Sequence, residues 1–490
     1  MTSSKSTKRA LITSALAILM CAAMLIGTTF AWFTDTASTG VNKIVSGNLK
    51  VDIIGADSDS HIEKLNFTKA ATTDAEAGAE ILWEPGCRYL TEGFRIANKG
   101  NLALKWKAQV NTGTTAANEG NFDLLDVIDF YLVTKAADGT ETETALDEFT
   151  GNLKKTETSD VYYIKGVMQT TAGNDYQGLT LDGISITVVA TQDTVESDSF
   201  DNQYDKDAEY PILVTTGDEL QAIVSNATAP VNIVLTNSIT TNNFVIPEDK
   251  DVTLDLNGRT VKNAGSHTIL NKGHLTLTDS SADKSGQIIS LKGNTAALRN
   301  GDNAVCVVEG GTISRDGANG NTWHVVENFG KMTFNGGKVV LKNGNGFAIT
   351  NGWNYFDPGA STTHAVMEIN ALELDTDSSG IKNCRYGDLT VNDVTVTSTG
   401  YWALSNDYLG TAVINGGTLT SNSFKAVSNG AAMTVNGGTF DGTQGFFVQS
   451  YATSTVLNGG TFANMNVDAL SSYVGTGHTA QQSGTSVIIK

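Results

Sequence analysis

Few residues of this sequence stand at spacings that would let them do chemistry together. On a repeating scaffold, the two carboxylates of a general acid and base pair would stand one repeat apart, and Asp279 and Asp302 come closest. Arg299, Arg315 and Arg385 are candidate bases for eliminative cleavage, but no acidic residue recurs at one-repeat spacing beside any of them; Asp302 and Asp316 are the nearest. The six His are scattered, and His267 with His274 reads as a solvated pair. Cys87, Cys306 and Cys384 form no metal-ligand spacing, and the last two lie in apolar-alternating stretches, as buried small hydrophobes do. "DSDS" at 57–60 and "DTDSSG" at 375–380 lack the spacing of a calcium loop and read as solvated turns. No catalytic residue, metal ligand or cofactor is assigned.

Binding is better represented. The segment "NGWNYFDPGASTTH" reads as an insertion that gathers Trp353, Tyr355 and Phe356, and Trp323, Tyr386, Tyr401, Trp402 and Tyr408 follow in neighbouring stretches. Exposed rings on a rigid support stack on sugars or dock a protein. The alternative is that they cover the apolar flank of their own scaffold. Trp353, Tyr355, Phe356, Tyr401 and Trp402 are the ligand-binding candidates, with a glycan or a host-surface protein as the ligand.

The scaffold is a repeat. "MTFNGGKV", "AVINGGTL", "MTVNGGTF" and "TVLNGGTF" are close copies, and "VTLDLNGRTV" and "VCVVEGGTI" looser ones. Their anchors are Asn257, Glu309, Asn335, Asn415, Asn436 and Asn458, with Asp279, Asn370 and Asn392 filling gaps. The last intervals are 23, 21 and 22 residues. A second anchor precedes most of these, at Asn271, Asn300, Asn328, Asn383, Asn406 and Asn429. A period near 22 with three short strands and two Asn corners predicts a single-stranded parallel β-helix. Roughly ten coils about 4.8 Å apart would make a rod, with Asn amides hydrogen-bonded along the stack. Gly after Asn is expected where the corner needs positive φ. "TTGDELQAIVSNATAP" predicts a capping helix near 216–228, with Thr216 and Glu219 as a capping box and Leu220, Ile223 and Val224 as its apolar stripe. "VDALSSYVGTGHTA" is expected to cap the last coil before a closing strand "SVIIK".

Before the repeat the pattern differs. "EGFRIANKGNLALKWKAQV" alternates on both sides of Asn98-Lys99-Gly100 and predicts a hairpin with one buried face. "VIDFYLVTKAADGTETE" and "GLTLDGISITVVATQ" add further strands, so residues 32–207 read as an antiparallel sandwich. The chain carries a net charge of −20, and an acidic surface repels nucleic-acid backbones. "KSTKR" followed by "ALITSALAILMCAAMLIG" and a Thr-x-Ala pattern reads as a removable signal over residues 1–31, not a membrane span.

Three blocks, "GTTFAWFTDTASTGVNKIVSGNLKVDI", "WEPGCRYLTEGFRIANKGNLALKWKAQV" and "ATQDTVESDSFDNQYD", resemble the TasA/camelysin family of Gram-positive bacteria over about residues 8–207. The resemblance implies export through a SipW-type signal peptidase, a jelly-roll-like sandwich and polymerisation into biofilm fibres by strand donation. Carried over, cleavage falls between Ala31 and Trp32, and Trp32, Phe33, Val41 and Ile44 are the donor-strand candidates. A strand donated to a neighbour would pair its backbone groups and bury its rings. Folding back into the same sandwich is the other placement, and the residues alone leave both open.

The expected architecture is therefore all-β: signal 1–31, an antiparallel jelly-roll-like sandwich over 32–207, and a right-handed, pectate-lyase-like parallel β-helix over 208–490. The expected protein is secreted and non-catalytic, a cell-surface or matrix module. Its partners are itself or another TasA-like subunit, with no nucleic acid and no membrane once the signal is removed. The alternative is a secreted lyase or glycoside hydrolase acting on polysaccharide, although "NTD", "GHG" and "RIK" motifs are absent.

Overall fold

The computed structural model describes residues 49–62, 65–68, 83–111, 114–115, 122–146, 149–179, 181–182, 185–193, 210–263, 265–316, 323–344, 346–353 and 363–490. Ala31, Trp32, Phe33, Val41, Ile44, Tyr355 and Phe356 lie outside them, as does the signal segment. Among the described residues, strand accounts for 51% and helix for 6%. No helix among the described residues is long and apolar enough to cross a membrane. Two compact units form. The first takes the described residues up to Ala108, Asp126–Asp175 and those of Ala190–Ala208; the second takes Gln109–Leu125, Tyr176–Val189 and Glu209–Lys490.

The first unit is a curled antiparallel sheet. Val51–Gly55 pairs with Phe94–Asn98, and Tyr162–Met168 pairs with Arg88–Thr91 and with Ile128–Lys135. The Asp138-Gly139 turn signal is met by a hairpin between Ile128–Lys135 and Glu141–Ala145, with Gly139 at φ 84°. Alternation in "FRIAN" and "LKWKAQV" buries Phe94, Ile96, Leu104, Trp106 and Ala108, as their period-two spacing requires.

The expected hairpin between those two segments does not form. Phe94–Asn98 stays in the curled sheet, whereas Leu104–Asn111 pairs antiparallel with Phe149–Leu153. Asn98 explains the departure. Its Nδ2 donates to the carbonyls of Leu102 at 2.7 Å and Lys154 at 3.1 Å, and its Oδ1 accepts from Gly100 N at 2.9 Å. That side chain ties the connection open, and the chain leaves for another sheet instead of doubling back. Trp106 then packs edge-on against Phe149 at 5.5 Å, over Gly151, where any Cβ would strike its ring.

The second unit is built around a β-solenoid of about 10 turns at residues 212–462. Each coil contributes a strand to three sheets. Sheet I runs from Ile212–Val214 to Ser454–Leu457, sheet II from Ile239–Thr241 to Gly460–Phe462, and sheet III from Phe244–Ile246 to Gln444–Val448. Every pairing between coils is parallel and in register, so like positions stack. In sheet I, Leu275, Cys306, Met332 and Met367 form one inward column. Cys306 thus fills an aliphatic slot, and burial pushes its thiol, like that of Cys384, up to about 12. A fully buried aliphatic side chain contributes about 1.5–3 kcal/mol, and the column repeats that gain in every coil.

Both ends are closed. Helix Gly217–Asn226 has Thr216 as N-cap, whose Oγ1 accepts from Glu219 N at 3.2 Å, while Glu219 Oε2 accepts from Thr215 N at 2.9 Å. Leu220 and Val224 are buried, and Ile223 packs against the same core. At the other end Val467–Leu470 is a short helix that inserts Leu470. Ser486–Ile489 then pairs antiparallel with Gly460–Phe462, ending the parallel run of sheet II. The short, polar strand Ala480–Ser483 then pairs with Ser486–Ile489 and forms the outermost edge, antiparallel to the run and poor in apolar side chains.

Candidate functional site

Two corners of the solenoid carry continuous columns of asparagine. At the corner from sheet III to sheet I stand Asn271, Asn300, Asn328, Asn351, Asn383, Asn406 and Asn429, all at most 1% exposed. Each Nδ2 donates to Oδ1 of the next residue in the series, at 2.7–2.9 Å. The same amide groups also donate to main-chain carbonyls, as Asn383 does to Gly387 and Thr411, each at 2.9 Å. The column ends where Asn429 donates to Thr455 Oγ1 at 2.8 Å. Asn351 is absent from the anchors expected from sequence; "FAITN" has the same apolar-then-Asn form as "TILN", and the longer coil that follows hid its period.

At the corner from sheet I to sheet II the series is Glu309, Asn335, Asn370, Asn392, Asn415, Asn436 and Asn458. Here each Nδ2 donates backwards to the preceding coil, at 2.7–2.9 Å, and the Glu309 carboxylate receives the last bond. The two columns therefore run with opposite polarity. In the "NGG" turn the positive φ falls on the second glycine, at 97° in Gly417, and not on the first. Gly416 is needed for another reason: a Cβ there would sit 2.7 Å from the Asn392 carbonyl of the coil below.

Asp279 does not extend the outer column. Its Oδ1 accepts from Gly258 N at 2.9 Å and its Oδ2 from Gly286 N at 2.7 Å, so it is a turn-fixing residue. Asp302 lies at the other corner, following strand Leu298–Asn300. Asp279 and Asp302, the carboxylates nearest to one-repeat spacing in the sequence, are thus not brought together. Nor are the two histidines paired: His274 opens a sheet I strand, whereas His267 precedes sheet III and its Nδ1 accepts from Ala296 N at 2.9 Å.

Sheet III carries the densest ionisable cluster. Arg299 and Glu327 occupy the same register on adjacent coils, with Nη1 2.9 Å from Oε2. An acidic group therefore does stand one coil from an arginine, contrary to the sequence expectation. This coil spans 28 residues, so a search at the common period passes over it. Trp323 Nε1 donates to Glu327 Oε1 at 3.0 Å, and Glu327 is only 3% exposed. Burial pushes its carboxyl up, against the pull of Arg299. Burial also holds His267 and His324 down to about 4, with Arg299 and Lys382 opposing a further positive charge, and takes buried Arg315 to about 10. Arg315 Nη2 donates to Ser290 Oγ and the Lys292 carbonyl, each at 3.0 Å.

The aromatic candidates divide between the two edges of sheet III. Trp353 is 9% exposed, at the Asn351 corner, 4.5 Å from the Phe329 ring. Tyr401 and Trp402 lie at the opposite edge, between sheets II and III, and both pack on Phe424, at 6.0 and 5.1 Å. Tyr401 is 52% exposed, whereas Trp402 is half-buried. Trp353 and Tyr401 thus do not share one surface.

The cluster around Glu327 has its two carboxylate oxygens committed to Arg299 and Trp323. A hydrolytic acid and base pair needs a second carboxylate facing the first across the substrate, and neither Asp279 nor Asp302 takes that position. Among the described residues no group of three or more His, Cys, Asp or Glu is arranged to hold a metal ion. "DTDSSG" is not the solvated turn expected: Asp375 lies in strand Glu373–Thr376 and pairs with Lys342 at 2.9 Å, Asp377 accepts from the main chain of Asn343, and Ser378 and Ser379 are buried where the next strand, Ser379–Asn383, begins. In comparisons with known proteins, no family model matches this chain and no curated protein matches it.

Proposed function

We propose that the chain is an exported, non-catalytic module of a bacterial cell surface or extracellular matrix, in which the solenoid serves as a rigid adhesive rod. The first unit, on its resemblance to TasA/camelysin proteins, is a jelly-roll-like sandwich that joins a fibre through its N-terminal strand, with itself or a related subunit as partner. The solenoid is taken to be right-handed, the hand that parallel crossovers overwhelmingly adopt. The observation that carries this reading is the commitment of polar groups to one another. Two asparagine columns and the Arg299–Glu327–Trp323 set spend their hydrogen bonds on holding coils together. Side chains so occupied stiffen a scaffold and leave little to act on a substrate.

The test is product release. The full chain, incubated with polyuronate and with neutral glycans, is expected to release no new reducing ends or unsaturated products; clear cleavage overturns the reading. One observation favours a secreted polysaccharide-degrading enzyme, the raised carboxyl of Glu327 beside Arg299. If cleavage is seen, Glu327→Gln would abolish it. The fibre part stands separately. Protein lacking residues 32–44 that still forms the same fibres by electron microscopy removes strand donation.

A further inference from the structure

Aromatic rings recur at the corner between sheets III and I. Phe329, Trp353, Tyr386 and Tyr408 follow Asn328, Asn351, Asn383 and Asn406 by one to three residues, so consecutive coils each bring a ring to this corner. The next coil has Gly430 after Asn429, where a Cβ would lie 2.7 Å from Cε2 of Tyr451, which belongs to the coil beyond. The Tyr451 ring thus lies over the position that Gly430 leaves without a side chain. The result is an aromatic strip running parallel to the solenoid axis, one ring per step of about 4.8 Å. Exposure rises along it, from 8% at Phe329 and 9% at Trp353 to 47% at Tyr408 and 56% at Tyr451.

Polar groups border the strip in balanced pairs. Arg299 meets Glu327 at 2.9 Å, Lys382 meets Asp407 at 3.4 Å, and His364 meets Asp388 at 2.8 Å. Arg385 lies over the Tyr386 ring at 4.7 Å and donates to its hydroxyl at 3.1 Å. Each of these ion pairs is balanced within itself, Asp302 stands at the same corner beside Arg299, and the chain as a whole carries a net charge of −20. Such a surface offers donors and acceptors to hydroxyl groups but gives a polyanion no electrostatic gain.

We propose that this corner binds a linear, neutral polysaccharide laid along the solenoid, with successive pyranose rings over successive coils. An equatorially linked pyranose chain advances per sugar by nearly the distance of one coil. Its apolar ring faces would lie on the exposed rings of Tyr408 and Tyr451, and its hydroxyls would reach the bordering pairs, while the buried Phe329 and Trp353, with Arg299 over the Phe329 ring at 4.5 Å, form the support on which the strip begins. The proposal rests on the adhesive reading and adds to it a ligand class, a direction and a surface.

Calorimetric titration of the full chain with cellohexaose, chitohexaose and their shorter homologues tests it. Affinity is expected to rise with oligomer length until the sugar spans the strip. Tyr408→Ala and Tyr451→Ala, both at exposed rings, should each weaken binding about tenfold without lowering the thermal midpoint. Tyr401→Ala, at the far edge of sheet III, should leave binding unchanged. The proposal is overturned if neither hexasaccharide binds, if the Tyr408 and Tyr451 variants bind as well as wild type, or if a galacturonate hexamer binds more tightly than both. None of these results touches the non-catalytic reading, which fails only if chromatography of the same mixtures reveals cleaved sugar.

Discussion

The two asparagine columns use one residue type and one bond length to different ends. The column between sheets III and I is buried, and each of its amides saturates main-chain carbonyls of adjoining turns as well as its neighbour in the series. The column between sheets I and II stands at the surface, where water can replace any bond that is lost. Burial, not hydrogen-bond length, should therefore decide how much each column contributes. A buried donor or acceptor left without a partner costs about 1–3 kcal/mol, whereas an exposed one costs far less.

The largest expected effect tests the inner column. Asn383→Ala strips the carbonyls of Gly387 and Thr411 and the Asn406 oxygen of one donor each, and removes the acceptor of Asn351. Denaturant unfolding of the full chain should show a loss of about 4 kcal/mol. A loss below about 1 kcal/mol would erase the contrast between the columns.

Acidification comes next, and acts through two histidines at the edge between sheets II and III, where neither column stands. His267 and His324, near sheet III, titrate at about 4 in the folded chain, below their ordinary 6.5. The unfolded chain then binds more protons, so the stability they contribute is present above pH 6.5 and drains away as pH falls towards 4. The loss should reach at most about 3 kcal/mol per histidine, less where solvent screens the charge, and a His267→Asn, His324→Asn double variant should flatten that part of the profile. An unchanged profile in the double variant removes the histidines as its cause.

The outer corner should respond more to backbone than to side chain. Gly417→Ala, at φ 97° and with the added Cβ 2.6 Å from the Val394 carbonyl, is expected to cost about 2 kcal/mol. Asn415→Ala, which deletes exposed bonds to Asn392 and Asn436, should cost under about 1 kcal/mol. If thermal unfolding ranks these two in the reverse order, the outer column matters as a column and not merely as a turn.

Much of this organisation is legible in the sequence, because the solenoid is made by local repetition. "NGG" turns, apolar alternation and Thr216–Glu219 each specify structure within a few residues of themselves. Features that depend on distant residues are hidden. Arg299 and Glu327 hold one register across a coil of 28 residues, off the common period, and the polarity of an amide column has no sequence signal at all. In the first unit the same limit shows at Asn98. Its flanks read as a hairpin, yet the partner that diverts them, near Lys154, lies 56 residues away.

Opposed column polarity also bears on how such a rod can change. Each coil presents a donor upward at one corner and downward at the other, so its two ends are complementary to any other coil of the series. Removing or duplicating a whole turn rejoins both chains of amides without leaving a mismatched pair. Reach can therefore be altered in discrete increments by recombination within the gene, while the closing elements at either terminus stay as they are.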